Sequence, residues 1–214
     1  MTDAQWEVLS YQSVIAAAVL YFLAMLAYFF ELAGLRTVAK GEEVDDHRTA
    51  MVGRLGLVLA AFAVLVHLVA LVARGLAADP NRVPWGNMYE FTISGTFVVA
   101  LIFVVATLRV DLEWLGPLVT TFVVAALMAA FLGLDDAVLP LPDALNSPWL
   151  VIHVVSAVIS TGAFTIGALL SGLYLVKARS SATRSSATTG YLARVPEPKV
   201  LDRPRKPKPR PEDD

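Results

Sequence analysis

Five stretches of this chain are apolar for long enough to cross a bilayer: residues 14–34, 55–76, 91–108, 114–134 and 149–176. About 20 residues of helix cover the roughly 30 Å of hydrocarbon. Inside lipid, each backbone N–H and C=O must be satisfied within its own segment, which a helix does and a lone strand cannot. The chain therefore reads as an all-α integral membrane protein of about five transmembrane helices. Composition agrees: 57% of residues are hydrophobic and only 17% are charged, against about 45–50% and about 25% in a soluble domain.

The chain contains no cysteine. That excludes a disulfide framework, a CxxC redox site and any thiolate-ligated metal. It also excludes a c-type cytochrome, whose haem is joined to CxxCH. The N-terminus carries Asp3 and Glu7 with no basic residue ahead of the first apolar run. A cleavable leader has a basic start and a shorter apolar stretch, so the first run is expected to stay as a transmembrane helix.

Lys and Arg orient the spans. Arg36, Lys40, Arg48 and Arg54 surround the first connection, Arg109 lies in the turn between spans three and four, and ten more follow from Lys177. With alternating spans, all of these fall on one side, and only Arg74 and Arg82 fall on the other. The positive-inside rule then places the N-terminus outside and the C-terminus in the cytoplasm, in a multi-pass protein of the cytoplasmic (inner) membrane. Residues 1–178 form the transmembrane bundle. Residues 179–214 form a cytoplasmic linker, Ser/Thr/Ala-rich over 180–189, an ordered-looking GYLARVPEPKV at 190–200, and a disordered basic tail, RPRKPKPRPEDD. That tail has nothing apolar to bury. It would at most touch anionic lipid of the bilayer; nothing in the chain points to nucleic acid.

Of the three histidines, His47 sits in a charged loop beside Asp45, Asp46 and Arg48 and reads as solvated. His67 lies mid-span on a helical face with Gly56, Ala60, Ala63, Ala70 and Arg74. Small residues on that face let a neighbouring helix or a flat ligand come close. His67 is a candidate transmembrane ligand or proton carrier, or else makes an interhelical hydrogen bond. His153 shares a face with Ser156, Ser160, Ala163, Gly167 and Leu170, a small-residue stripe that predicts an imidazole turned into the bundle. It is a candidate ligand at the outer mouth, or else a capping or interfacial histidine.

The loop VPWGNMYEF (residues 83–91) places Trp85 and Tyr89 four apart, with Glu90 capping the entry to span three. An aromatic belt at the interface explains the rings, but Gly-Asn asks for a particular turn. An imidazole, stacking aromatics and outer cations together suit a flat aromatic ligand. Neutral imidazole ligates haem iron, Trp85, Tyr89 and Trp149 offer haem contacts, and Arg74 and Arg82 suit propionates.

PWGNMYEF ahead of one span, NSPWLVIHV opening a later one, and GYLARVPEPKVLDR after it resemble the haem-handling proteins of cytochrome c biogenesis, the CcsA/ResC type of system II. The resemblance covers about residues 10–203. It implies binding and export of haem b, held transiently as substrate, and its presentation at the outer face for covalent attachment to CxxCH of apocytochrome c. It implies that His153 is an axial haem ligand, the first of two outer histidines that flank a tryptophan-rich WWD loop. It also implies a partner membrane subunit of the system II complex. In the family, further spans carrying the WWD loop and the second histidine follow the position of Arg203; here PRKPKPRPEDD follows instead. The expectation is a chain truncated before the WWD domain, a component of a haem-ligation (cytochrome c synthase) system that does not act alone. The alternative is a non-catalytic polytopic subunit or transporter fragment with structural histidines.

Overall fold

In the computed structural model, residues 1–38, 46–110, 112–134 and 147–192 are described. Every regular element among them is helical: α1 (Asp3–Val38), α2 (Asp46–Leu76), α3 (Met88–Thr107), a 3₁₀ turn (Glu113–Leu115), α4 (Gly116–Gly133) and α5 (Pro148–Leu192). All five α-helices are long and apolar enough to cross a membrane. The chain divides into two compact units, Met1–Gly172 and Leu173–Asp214.

The helices start where local chemistry caps them, not where the apolar runs begin. Span one was expected from residue 14, yet α1 starts at Asp3. Thr2 N–H donates to Gln5 Oε1 at 3.0 Å and Gln5 N–H donates to Thr2 Oγ1 at 3.4 Å, a reciprocal box that satisfies two orphan amides of the first turn. Span three was expected from residue 91, but Asn87 is the N-cap and its side chain accepts from Glu90 N–H at 2.8 Å. Pro117, in the first turn of α4, loses nothing there because its missing N–H has no intrahelical partner. Residues 180–189, expected as a linker, continue α5 as helix. No proline lies between Pro148 and Pro196, so nothing in that stretch forces the helix to stop. The segment after Leu192, including most of GYLARVPEPKV and the basic tail, lies outside the described residues.

Within the first unit, α1 packs along α2 and also against α4, while α3 packs against α4 and α2. The α2 face read as small residues is the one that packs: Gly56, Ala60, Ala63, His67, Ala70 and Arg74 are all buried. Small side chains permit this close approach, and dispersion between the helices, not hydrophobic transfer, rewards it in lipid. Ser10 Oγ donates to the Ala70 carbonyl at 2.9 Å and pins α1 to α2.

The expected orientation of α5 is corrected. The stripe of His153, Ser156, Ser160, Ala163 and Gly167 is exposed, and the line through Val158 and Gly162 faces the bundle instead. A side chain at Gly162 would start 2.8 Å from Val98 Cγ1, so its glycine is what lets α5 approach α3. His153, Ser156 and Ser160 mark one line of α5, yet the contact is made on another, where Gly162 fits closely against Val98.

Candidate functional site

The end of the bundle that holds residues 77–87 is built around one carboxylate. Glu90, at the third position of α3, is 0% exposed. Arg82 Nη1 donates to its Oε2 at 2.6 Å and Arg82 Nη2 to its Oε1 at 3.2 Å. Arg74 Nε, from the last turn of α2, donates to Oε1 at 3.2 Å. Gly86 N–H donates to Oε2 at 2.7 Å. Arg74 Nη1 also reaches Glu7 Oε1 of α1 at 3.8 Å. A buried charge is tolerable only when paired and hydrogen-bonded, and the forked Arg–carboxylate geometry provides both.

The chain from 82 to 87 is held residue by residue around this centre. Arg82 N–H donates to the Gly75 carbonyl at 3.2 Å, and Trp85 N–H donates to the Val83 carbonyl at 2.9 Å. Ser94 Oγ donates to the Pro84 carbonyl at 3.2 Å. Gly86 lies against the Arg82 guanidinium: a Cβ there would sit 2.6 Å from Nη2. The Gly-Asn pair is thus explained twice, by a close approach at Gly86 and by the cap at Asn87.

Beside this knot is a cavity of about 790 Å³ in the first unit. Its walls come from α2 (Leu71), α3 (Phe97, Leu101) and α5 (Val155, Ile159), and Arg82, Pro84 and Trp85 contribute from the loop. Trp85 is half-buried there. The volume falls within the roughly 300–1,000 Å³ of small-molecule and cofactor sites, and apolar walls with a few polar groups are their usual lining.

The expected site residues do not all come together. Trp85 and Arg82 line the cavity, but Tyr89 is buried inside the bundle with the Arg74 guanidinium 5.0 Å above its ring. Trp149 is 79% exposed at the start of α5. His153, on the same exposed side of α5, is two residues from the cavity-lining Val155. Arg74 and Arg82, expected at propionates, both bind Glu90.

His67 forms a separate place in the middle of α2. It is 0% exposed, with the Tyr21 ring 6.0 Å away and the Phe97 ring 5.6 Å away, both edge-on. Neither ring nitrogen makes a hydrogen bond of good geometry, and the buried Tyr21 hydroxyl beside it has no partner either. Among the described residues no cluster of three or more His, Asp or Glu side chains could hold a metal ion.

A sequence model described as Cytochrome C assembly protein matches residues 85–204, more than half of the chain. The chain belongs to this family. The match begins at Trp85, the tryptophan on the cavity rim, and takes in α3, α4 and α5. With five helices among the described residues long and apolar enough to cross a membrane, this family member is a multi-pass membrane protein with a role in cytochrome c biogenesis. No curated protein and no solved structure matches the chain significantly.

Glu90, expected to cap span three, does not: Asn87 is the cap, and the Glu90 carboxylate pairs with both arginines. A signal was present: Glu90 is the acid that the N-terminal end of span three shares with Arg74 and Arg82. The cavity had no linear signal, since its walls come from three helices and a loop.

Proposed function

We propose that this family member handles haem b as cargo in system II cytochrome c assembly. It would bind and export haem and present it at the outer face of the inner membrane, for attachment to CxxCH of apocytochrome c beside a partner membrane subunit. The observation that carries this reading is the half-buried Trp85, held on the rim of an apolar cavity, at the start of the family match. The residues suit such a cargo. The cavity is of cofactor size, and His67 is a fully buried imidazole. When bound, haem supplies an iron that imidazole ligates and a macrocycle that is joined to the thiols.

In this reading the N-terminus is outside and the C-terminus is cytoplasmic, which puts Trp85, His153 and the Glu90 knot at the outer face. His153 offers a ring nitrogen as axial ligand from the exposed side of α5, with Trp149 one turn before it. Trp85 stacks on the macrocycle, and Tyr89 holds Arg74 in place by its ring face. Arg82 and Arg74 meet carboxylates only by sharing them with Glu90. His67 serves as a transmembrane ligand. A second reading, a non-catalytic subunit with structural histidines, is favoured by the aromatic walls around His67.

The test is the Soret band of the purified membrane protein, compared with His153→Ala and His67→Ala. Loss of haem in His153→Ala at unchanged protein yield is expected. Equal haem in wild type and variant, or none in either, sinks the assignment of His153.

A further inference from the structure

We infer that Glu90 is the positioning residue for Trp85: its buried carboxylate holds the 82–87 loop so that the indole stays on the cavity rim. The inference rests on the haem reading above for its functional consequence, but not for its structural one.

Trp85 makes no side-chain hydrogen bond among the described residues, so its place is set by the backbone on either side. On one side is Arg82, whose two terminal nitrogens both donate to Glu90, at 2.6 and 3.2 Å, while Nη1 also donates to the Val83 carbonyl at 3.3 Å. On the other is Gly86, whose N–H donates to Glu90 Oε2 at 2.7 Å. The next residue, Asn87, caps α3 by accepting the Glu90 N–H at 2.8 Å. One residue therefore ties the loop before Trp85, the loop after it and the helix that follows. Arg74 carries the tie back to α2.

Charge makes the arrangement stiff. With Glu90 0% exposed and Arg82 11% exposed, water is in a poor position to replace either partner. Opening the loop would strand a carboxylate in a dry site, which is strongly unfavourable. The indole is thus held in place before any ligand arrives. Preorganisation of this kind raises affinity by reducing the ordering that binding must otherwise impose.

The test uses the full chain in detergent with E90Q, W85F and the double variant. E90Q keeps the size of Glu90 and removes its charge. In a background where Trp6, Trp114 and Trp149 are Phe, acrylamide quenching of Trp85 should rise in E90Q while far-UV helicity is unchanged. In the native tryptophan background, haemin should bind E90Q about tenfold more weakly, the order of loss for one well-seated aromatic contact. W85F should weaken binding similarly, and adding W85F to E90Q should cost nothing further. Unchanged quenching overturns the inference, and so do losses that multiply in the double variant, since Glu90 would then act independently of Trp85. Should E90Q fail to fold, E90D keeps the charge but shortens the reach, and the same outcomes decide. If wild type binds no haemin, the haem reading fails, while the quenching arm still decides whether Glu90 positions Trp85.

Discussion

Arg82 grips Glu90 with both terminal nitrogens, and the pair closes the loop that joins α2 to α3. As an outer cation Arg82 suits a ligand carboxylate; in the fold its partner is an internal carboxylate eight residues on. The guanidinium fork is indifferent to which carboxylate it meets, so proximity decides.

Removing that carboxylate should be costly. Glu90→Ala removes the carboxylate that Arg74 and Arg82 share at a buried site. The expected loss is about 3–5 kcal/mol, as for other buried pairs broken on one side. Unfolding in mixed detergent micelles measures it; a loss below 1 kcal/mol would show that water reaches the arginines.

Gly86→Ala should disturb the same centre from the other side. The new Cβ would lie 2.6 Å from Arg82 Nη2, so the guanidinium must move off Glu90 or the loop must shift. Overpacking of this kind costs about 1–3 kcal/mol. The expected outcome is a lower melting temperature together with a changed Trp85 emission maximum. An unaltered emission would mean that the loop absorbs the methyl group.

His67→Phe should leave the fold intact or strengthen it. Replacing a buried polar ring that makes no well-formed hydrogen bond by an apolar one is neutral or stabilising, and Tyr21 and Phe97 already form an aromatic wall there. Thermal unfolding of the haem-free protein checks this. A clear destabilisation would mean that the imidazole has a hydrogen-bond partner after all.

Orientation is testable because the chain has no cysteine of its own. A single cysteine at Asn81, in an exposed part of the loop, should react with a membrane-impermeant maleimide added outside intact cells. A single cysteine at Lys177 should react only after the cells are opened. The reverse pattern would invert the proposed topology.

The five spans were legible because burial in lipid is a property of composition summed over some 20 residues, and it survives errors at the ends. The starts of α1 and α3 lie ahead of those runs. The Thr2–Gln5 and Asn87–Glu90 caps extend α1 and α3 past their apolar runs, and hydrogen bonding sets a helix start, not hydropathy. The α2 face was legible because His67 and Arg74 mark it among small residues. The α5 face was not, because the contact lies off the small-residue stripe of His153, at the close fit of Gly162 against Val98.

Local order along the chain was enough to establish a helical membrane protein, the motifs of its family and the capped turn at PWGNMYEF. Which side chains share a site was decided by packing. Glu90 took both arginines, Tyr89 went inside beneath Arg74, and His153 turned outward. Each of these depends on distances between residues on different helices, and helical periodicity constrains only the faces of one helix at a time.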